Sequence, residues 1–293
     1  MKSITRQPLV SIIMNCYNGK KFLREAIDSV IAQTYTHWEI IFWDNQSTDG
    51  SADILKSYDD PRLRYFYAPK HTFLYEARNY AINESCGDLI AFLDVDDWWA
   101  PEKLEKQVPL FENPEVGIVC SNYWLVNERK KQPPKKMLRQ PVPTGRPLNE
   151  LLKHYFVGML TLVVRRTAFE QLDYGCDPRY HVIGDFDLVI RLSVSWKLDC
   201  IQEPLAYCRW HSDNESTRHR ERSIKEMEAW AAEMLNHPGI RCLEGFQTLL
   251  QSIRYDYGRL YVMQRNRHEA LKQWWSLPWG KFKVKLLADI LLP

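Results

Sequence analysis

Three carboxylates fall within four residues at Asp94-Val95-Asp96-Asp97, directly after the apolar run Leu89–Leu93. Crowded this way, they repel one another unless a cation or hydrogen-bond donors offset the charge. Oxygen ligation suits Mg²⁺ or Mn²⁺, commonly held by one or two carboxylates together with substrate phosphates. The same residues equally suit an acidic turn capping the next helix, with Pro101 near its first turn. Two further polar clusters stand at comparable places: Asn15-Cys16-Tyr17-Asn18-Gly19 after Leu9–Met14, and Asp44-Asn45-Gln46-Ser47-Thr48-Asp49-Gly50 after Glu39–Trp43. Farther along, Gly184-Asp185 precedes the helical pattern Phe186–Leu192. Asp185 is therefore either a helix cap or a reactive carboxylate, and Asp187 is the other acid within reach. His211 follows the strand-like run Leu205–Trp210, where a structural imidazole and a metal ligand are both open readings.

The apolar runs that precede these clusters, with Leu63–Tyr67 and Val116–Cys120, are short and rich in β-branched or aromatic residues. Between them, Phe22, Leu23, Ala26, Ile27, Val30 and Ile31 recur at helical spacing, and Ser51–Tyr58 and Leu74–Asn83 continue the alternation. Strands alternating with helices predict crossover units: a Rossmann-like, mainly parallel α/β sheet flanked by helices. Ligands of such sheets bind at the carboxyl ends of strands, so the clusters after Met14, Trp43 and Leu93 meet at one rim. Residues 128–147 break the rhythm with five prolines and seven Lys/Arg against one Glu, which predicts a mobile basic loop. Leu160–Val164 resumes a strand, and from about Ser216 the pattern is helical.

Composition removes several alternatives. With 45% hydrophobic and 26% charged residues over 293 positions, a folded core is expected and extensive disorder is excluded. A net charge of +2 does not suit a nucleic-acid binder, so no nucleic-acid partner is expected. Seven scattered cysteines without a Cys-x-x-Cys pair argue against a disulfide framework or structural zinc and for a reduced, cytoplasmic setting. The run Leu9–Cys16 is too short for a signal segment, and no stretch approaches a bilayer span. At most, contact with a membrane is peripheral.

Taken in order, Val10-Ser11-Ile12-Ile13-Met14-Asn15-Cys16-Tyr17-Asn18, Asp44-Asn45 through Ser51, Ala77-Arg78-Asn79, Ala91 through Asp97, Gly184 through Leu188, and Glu203 through His211 closely resemble a family 2 glycosyltransferase. The resemblance spans about residues 8–217 and implies an inverting enzyme of GT-A fold, of the bacterial cell-surface polysaccharide type. It implies a nucleotide-diphosphate sugar donor, UDP- or dTDP-linked, a glycan or lipid-linked acceptor, and a divalent cation, Mn²⁺ or Mg²⁺. By the same resemblance Tyr17 lies against the base, and Asp44 with Asn45 reads base and ribose. Asn45 departs from the family's acid; its amide oxygen can accept the N3–H of uracil or thymine. Arg78 would approach base or diphosphate, although alone it reads as a helix-surface arginine. Asp94 would contact ribose, Asp96 the metal, and His211 would complete the metal site, favouring Mn²⁺. Of Trp98 and Trp99, one would line the sugar or acceptor pocket while the other packs in the core. Asp185 would be the general base; Gly184 replaces its usual acidic neighbour, which by itself makes Asp185 easier to ionise.

The implied organisation is a GT-A domain over 1–215 and a helical region over 216–293. The first divides into a nucleotide-sugar half at 1–127, the basic loop at 128–147 and an acceptor half at 148–215. Residues 265–293 carry six Lys/Arg against two acids, with Trp274, Trp275 and Trp279. That tail suits either the inner face of a membrane or packing on its own domain or a second copy as a homo-oligomer. Rival readings are a non-catalytic sugar-nucleotide-binding module and a sugar nucleotidyltransferase, whose Gly-rich basic phosphate loop is missing near Met14–Gly19. A dinucleotide oxidoreductase would need G-x-G-x-x-G there, and the chain has none.

Overall fold

The run Val10–Cys16 forms strand β1, buried along its whole length, as is β2 at Trp38–Asp44. Both are apolar on two faces because helices cover both sides of a parallel sheet. The computed structural model describes residues 7–128, 132–211 and 218–292. In chain order the first part continues with α1 (Leu23–Ile31) between β1 and β2, then α2 (Ser51–Lys56), β3 (Leu63–Tyr67), α3 (Leu74–Asn83) and β4 (Leu89–Phe92). A two-residue strand β5 (Trp98–Trp99), α4 (Lys103–Gln107), β6 (Val116–Asn127), β7 (Lys135–Lys136) and α5 (Leu148–Lys153) follow. Then come β8 (Val163–Arg165), α6 (Arg166–Glu170), α7 (Gly184–Ser195) and β9 (Lys197–Trp210).

The strands join one sheet in the order β3-β2-β1-β4-β8-β6-β9-β5, with β7 on β6. Neighbours from β3 to β4 are parallel. The second half is mixed: β8 is antiparallel to both β4 and β6, while β6 and β9 run parallel. Two reversals across β8 restore the direction of β4 in β6 and β9. The carboxyl ends of β1, β2, β4, β6 and β9 therefore share one rim. Helix α7 leads into the amino end of β9, so its own first turn, with Asp185, belongs to that rim as well.

By contacts the chain divides into two compact units, Met1–Pro147 with Phe156–Ser212, and Leu148–Tyr155 with Asp213–Pro293. Residues 148–155, grouped by sequence with the acceptor half, thus join the helical unit. Asn149 Oδ1 accepts the Gly245 N–H at 2.8 Å and Lys153 pairs with Glu244 at 2.7 Å. The basic segment expected to be mobile is tied down where it is described. Its strand β7 pairs with β6, Met137 N–H donates to Tyr123 O, Val142 N–H donates to Gln202, and Gly145 bridges Leu198. Residues 129–131 of that segment, and 212–217 after His211, lie outside the described residues.

The second unit continues with α8 (Arg220–Met234), α9 (Pro238–Arg241), α10 (Glu244–Met263), α11 (Arg267–Ser276) and α12 (Lys281–Leu291). Phe246, Leu249 and Ile253 lie on the buried face of α10, while α8 buries Ile224, Trp230 and Ala231. No helix among the described residues is long and apolar enough to cross a membrane.

Candidate active site

The loops after β1 and β2 are laced together. Asn18, in the left-handed region at φ 54°, accepts the Thr48 N–H at 2.8 Å and donates its own N–H to Ser47 Oγ at 3.0 Å. Lys20 N–H donates to Asp49 at 2.9 Å. Tyr17 projects from this platform, 57% exposed, with its ring edge-on to His71 at 4.5 Å. Asp44 is buried at the floor and accepts from Ser47 N–H at 2.7 Å and Tyr65 OH at 2.8 Å. Asn45 is also buried, but its amide is committed elsewhere. Its Nδ2 donates to Thr72 O at 2.7 Å and its Oδ1 accepts the Thr72 N–H at 3.1 Å. Uracil or thymine recognition by that oxygen would compete with this pair. Sequence reasoning passed over His71, whose Nδ1 lies 2.9 Å from Asn45 O and whose ring flanks Tyr17.

The acidic loop after β4 sits on two buried arginines. Arg78 of α3 is 3% exposed and donates to Asp94 Oδ1 at 2.7 Å, so it is no surface residue. Burial works against its charge, but the Asp94 carboxylate beside it holds its pKa above the ordinary value. Arg209 of β9 donates its N–H to Asp97 at 2.8 Å and its Nε to Asp96 O at 2.9 Å. Its guanidinium pairs with Glu25 and Glu128 and faces the rings of Phe22 and Trp98 at 4.3 and 4.5 Å. The loop also presses against Gly19, where any Cβ would come within 2.6 Å of Val95.

Asp96 and His211 converge, with Nε2 3.0 Å from Oδ2. Burial and the charge of Asp94 push the Asp96 carboxyl above its ordinary pKa, and burial with both neighbouring acids pushes Asp97 up further. Among the described residues no cluster of three or more His, Cys, Asp or Glu side chains is arranged as a metal cage. One carboxylate and one imidazole nevertheless fit a divalent cation shared with substrate phosphates, since such ions bind through few protein ligands. The strained anionic charge at Asp96 is what a cation would relieve. Beside it, Trp98 stacks on Tyr207 at 5.0 Å with rings 2° from parallel and remains partly exposed. Trp99 is buried and donates its Nε1 to Leu160 O at 2.8 Å.

Asp185 stands half-buried in the first turn of α7, where its Oδ1 accepts the Phe186 N–H at 2.8 Å. Its own N–H donates to the hydroxyl of Tyr75 at 3.0 Å. A Cβ at Gly184 would lie 2.6 Å from the Tyr75 ring, so the ring fills the space an acidic side chain would need. Burial raises the Asp185 carboxyl to about 6, against the Phe186 N–H and Arg78, which lower it. The easing of ionisation expected from Gly184 is thus outweighed by desolvation. Asp187 points away into a bond with Arg191 at 2.6 Å. Asp94, Arg78, Tyr75 and Asp185 form a contiguous set, since the Arg78 guanidinium also lies 5.0 Å from the Tyr75 ring centre. Tyr75 was not legible as part of the site; the only signal was the glycine at 184.

Breaking the Arg78–Asp94 pair leaves a guanidinium inside the protein without its carboxylate. Asp94→Ala is expected to cost about 3 kcal/mol of stability in urea unfolding, more than its own partial exposure suggests. An unchanged midpoint would mean that Arg78 is charged-compensated by other groups.

The fold is shared with glycosyltransferases of known structure. S. aureus TarS, solved in complex with UDP-GlcNAc, superposes with a TM-score of 0.68 at 16% identity, covering 96% of this chain and 81% of its own. The mannosyltransferase PcManGT of Pyrobaculum calidifontis, solved with GDP-Man and Mn²⁺, gives 0.65 at 16% identity over 97% of this chain and 79% of its own. The chain belongs to glycosyl transferase family 2, whose family model matches residues 11–173. It is 33% identical over 168 residues to TuaG of Bacillus subtilis, assigned as a teichuronic acid biosynthesis glycosyltransferase, and 32% identical over 170 residues to WfgD of Escherichia coli. WfgD is a UDP-Glc:alpha-D-GlcNAc-diphosphoundecaprenol beta-1,3-glucosyltransferase. Each match covers 57% of this chain; it spans 66% of TuaG and 64% of WfgD, just under two thirds of those relatives.

Proposed function

We propose that the chain transfers a sugar from a UDP- or dTDP-linked donor to a hydroxyl of a glycan or lipid-linked acceptor, inverting the anomeric centre. The observation that carries this reading is the contiguous Asp94–Arg78–Tyr75–Asp185 set, which couples a donor-side carboxylate to a desolvated carboxylate able to take a proton. Family membership supports it, as do the uridine donors of the Escherichia coli relative and the UDP-GlcNAc complex of TarS. The undecaprenyl diphosphate acceptor of that relative supports a lipid-linked acceptor here.

In this reading Tyr17 and Asp44 contact the base, Asn45 fixes the Thr72 loop around it, and Asp94 meets the ribose while Arg78 holds it in place. Asp96 and His211 would hold Mn²⁺ or Mg²⁺, which when bound offsets charge developing on the departing diphosphate. Trp98 lines the sugar or acceptor pocket. Asp185 accepts the acceptor hydroxyl's proton as that oxygen bonds to the anomeric carbon, and the carbon–oxygen bond to the diphosphate breaks on the opposite face. A single displacement of this kind inverts the centre. Residues 1–127 bind the donor and the later part of the sheet, with α7, presents the base. Seven cysteines without a disulfide support a cytoplasmic setting.

A panel of nucleotide sugars, with Mn²⁺ or Mg²⁺ present or chelated, tests the reading through calorimetric binding and slow donor hydrolysis. Uridine or thymidine donors should bind best, and chelation should suppress hydrolysis. His211→Ala is expected to weaken metal-dependent donor binding about 10–100-fold. If no donor binds and chelation changes nothing, the proposal is wrong.

A further inference from the structure

We propose that α11, α12 and the turn between them form a docking surface for an anionic lipid bilayer. The inner side of these helices is ordinary core: Ala270, Leu277, Leu286 and Ile290 pack with Trp274, Phe282 and Tyr255. Their outer side is apolar where water is expected. Val284 and Leu291 lie one face away from the buried Leu286 and Ile290, with Leu292 beyond them, and all three are well exposed. Trp275 and Trp279 are 72% and 80% exposed. Lys281 and Lys285 lie on the same outer face as Val284.

The two exposed indoles are held, not loose. Lys283 is buried beneath them, donating to Leu277 O at 2.7 Å, with its ammonium 4.7, 5.9 and 5.5 Å from the rings of Trp274, Trp275 and Trp279. Trp274 Nε1 in turn donates to Lys283 O at 3.1 Å. A buried cation thus anchors an aromatic cluster whose two outer members face solvent. Tryptophan gains most at the boundary between hydrocarbon and water, where its ring is apolar and its N–H stays wet.

Charge selects the occupant. Of the six Lys/Arg in residues 265–293, Lys281 and Lys285 are exposed on the outer face and match an anionic surface, where each basic side chain near the headgroups contributes about 1 kcal/mol. A second copy of the chain is disfavoured. A two-fold contact through this stripe would bring the same lysine-bearing patch of both copies together. A bilayer takes both groups at once, indoles and Val284 at the headgroup boundary and lysines on the phosphates. The inference goes beyond the proposed transferase activity and is measured without donor or acceptor.

The full chain should be centrifuged with vesicles of equimolar phosphatidylcholine and phosphatidylglycerol, and separately with phosphatidylcholine alone. Binding to the anionic vesicles only, weakened by salt and accompanied by a blue shift of tryptophan fluorescence, is expected. Trp275→Ser with Trp279→Ser, and separately Lys281→Glu with Lys285→Glu, should each reduce partitioning at least about tenfold. The altered side chains are exposed, and matched melting curves confirm that the fold is kept. No binding to anionic vesicles, or binding that both double variants retain, overturns the proposal. So does a vesicle-free shift from dimer to monomer in those variants, which would assign the patch to self-association.

Discussion

Replacing Asp185 by asparagine is expected to cut sugar transfer by about 10³-fold while nucleotide-sugar binding is kept. The substitution removes the proton acceptor but preserves size and the bond from the Phe186 N–H, so the first turn of α7 stays in place. Separate measurement of donor affinity and turnover distinguishes this from simple damage. Transfer that survives would move the base elsewhere, and donor binding with neither hydrolysis nor transfer in either protein would favour a binding module. The wild-type pH profile carries a second signature. With the carboxyl at about 6, transfer should fall as pH drops through that value, because only the ionised form takes a proton. Tyr75, Arg78, Asp94, Tyr123 and Cys176 are among the charged or titratable groups that share its surroundings.

Stability should move the other way. The folded-state pKa of Asp185 lies above the unfolded value of about 3.9, so its contribution is fully present below the unfolded value and is lost as pH rises through about 6. Asp185→Asn removes that titration. The variant should unfold at higher denaturant than wild type at pH 8, and the gap should close toward pH 4. A function-bearing carboxylate that costs stability at the working pH is the pattern expected of a site group.

Restoring an acid at position 184 is expected to harm the protein rather than improve it. Gly184→Asp drives a side chain into the Tyr75 ring, whose atoms would lie 2.6 Å from the new Cβ. Overpacking of this size costs about 1–3 kcal/mol, and displacing Tyr75 also removes the hydroxyl that receives the Asp185 N–H. Turnover should therefore fall at least about 100-fold, since small misplacements of a reacting group carry costs of that order. Gly184→Ala should show a milder form of the same defect. Activity unchanged in Gly184→Asp would mean that Tyr75 can move aside and that it does not position the base.

The strands of the first half were legible because each apolar run ends at a polar cluster, as at Met14 and Trp43. Beyond Val116 the pattern says less. Leu160–Val164 looks like one strand, yet Met159–Thr161 is a 3-10 turn and the strand begins at Val163. Thr161 Oγ1 bonds back to Gly158 O and Trp99 takes Leu160 O, contacts that periodicity does not encode. Nor does alternation alone reveal that β8 enters antiparallel. At the site, Asp94, Asp96, Asp185 and His211 were legible as chemically loaded residues at strand ends or a helix start. Asn45 was not legible in its structural work, because its amide is satisfied by a backbone at Thr72. Tyr75 was hidden for the same kind of reason: its meaning depends on a glycine on a distant helix.

The ties of Asn18 and Lys20 to residues 47–49 bear on how a nucleotide arrives. Because those loops are ordered when the chain folds, their conformational entropy is already lost before any ligand approaches. A nucleotide meeting this platform finds these two loops already organised, so association should be fast and similar for different bases. Discrimination then resides in residence time: a preferred base stays longer rather than arriving sooner.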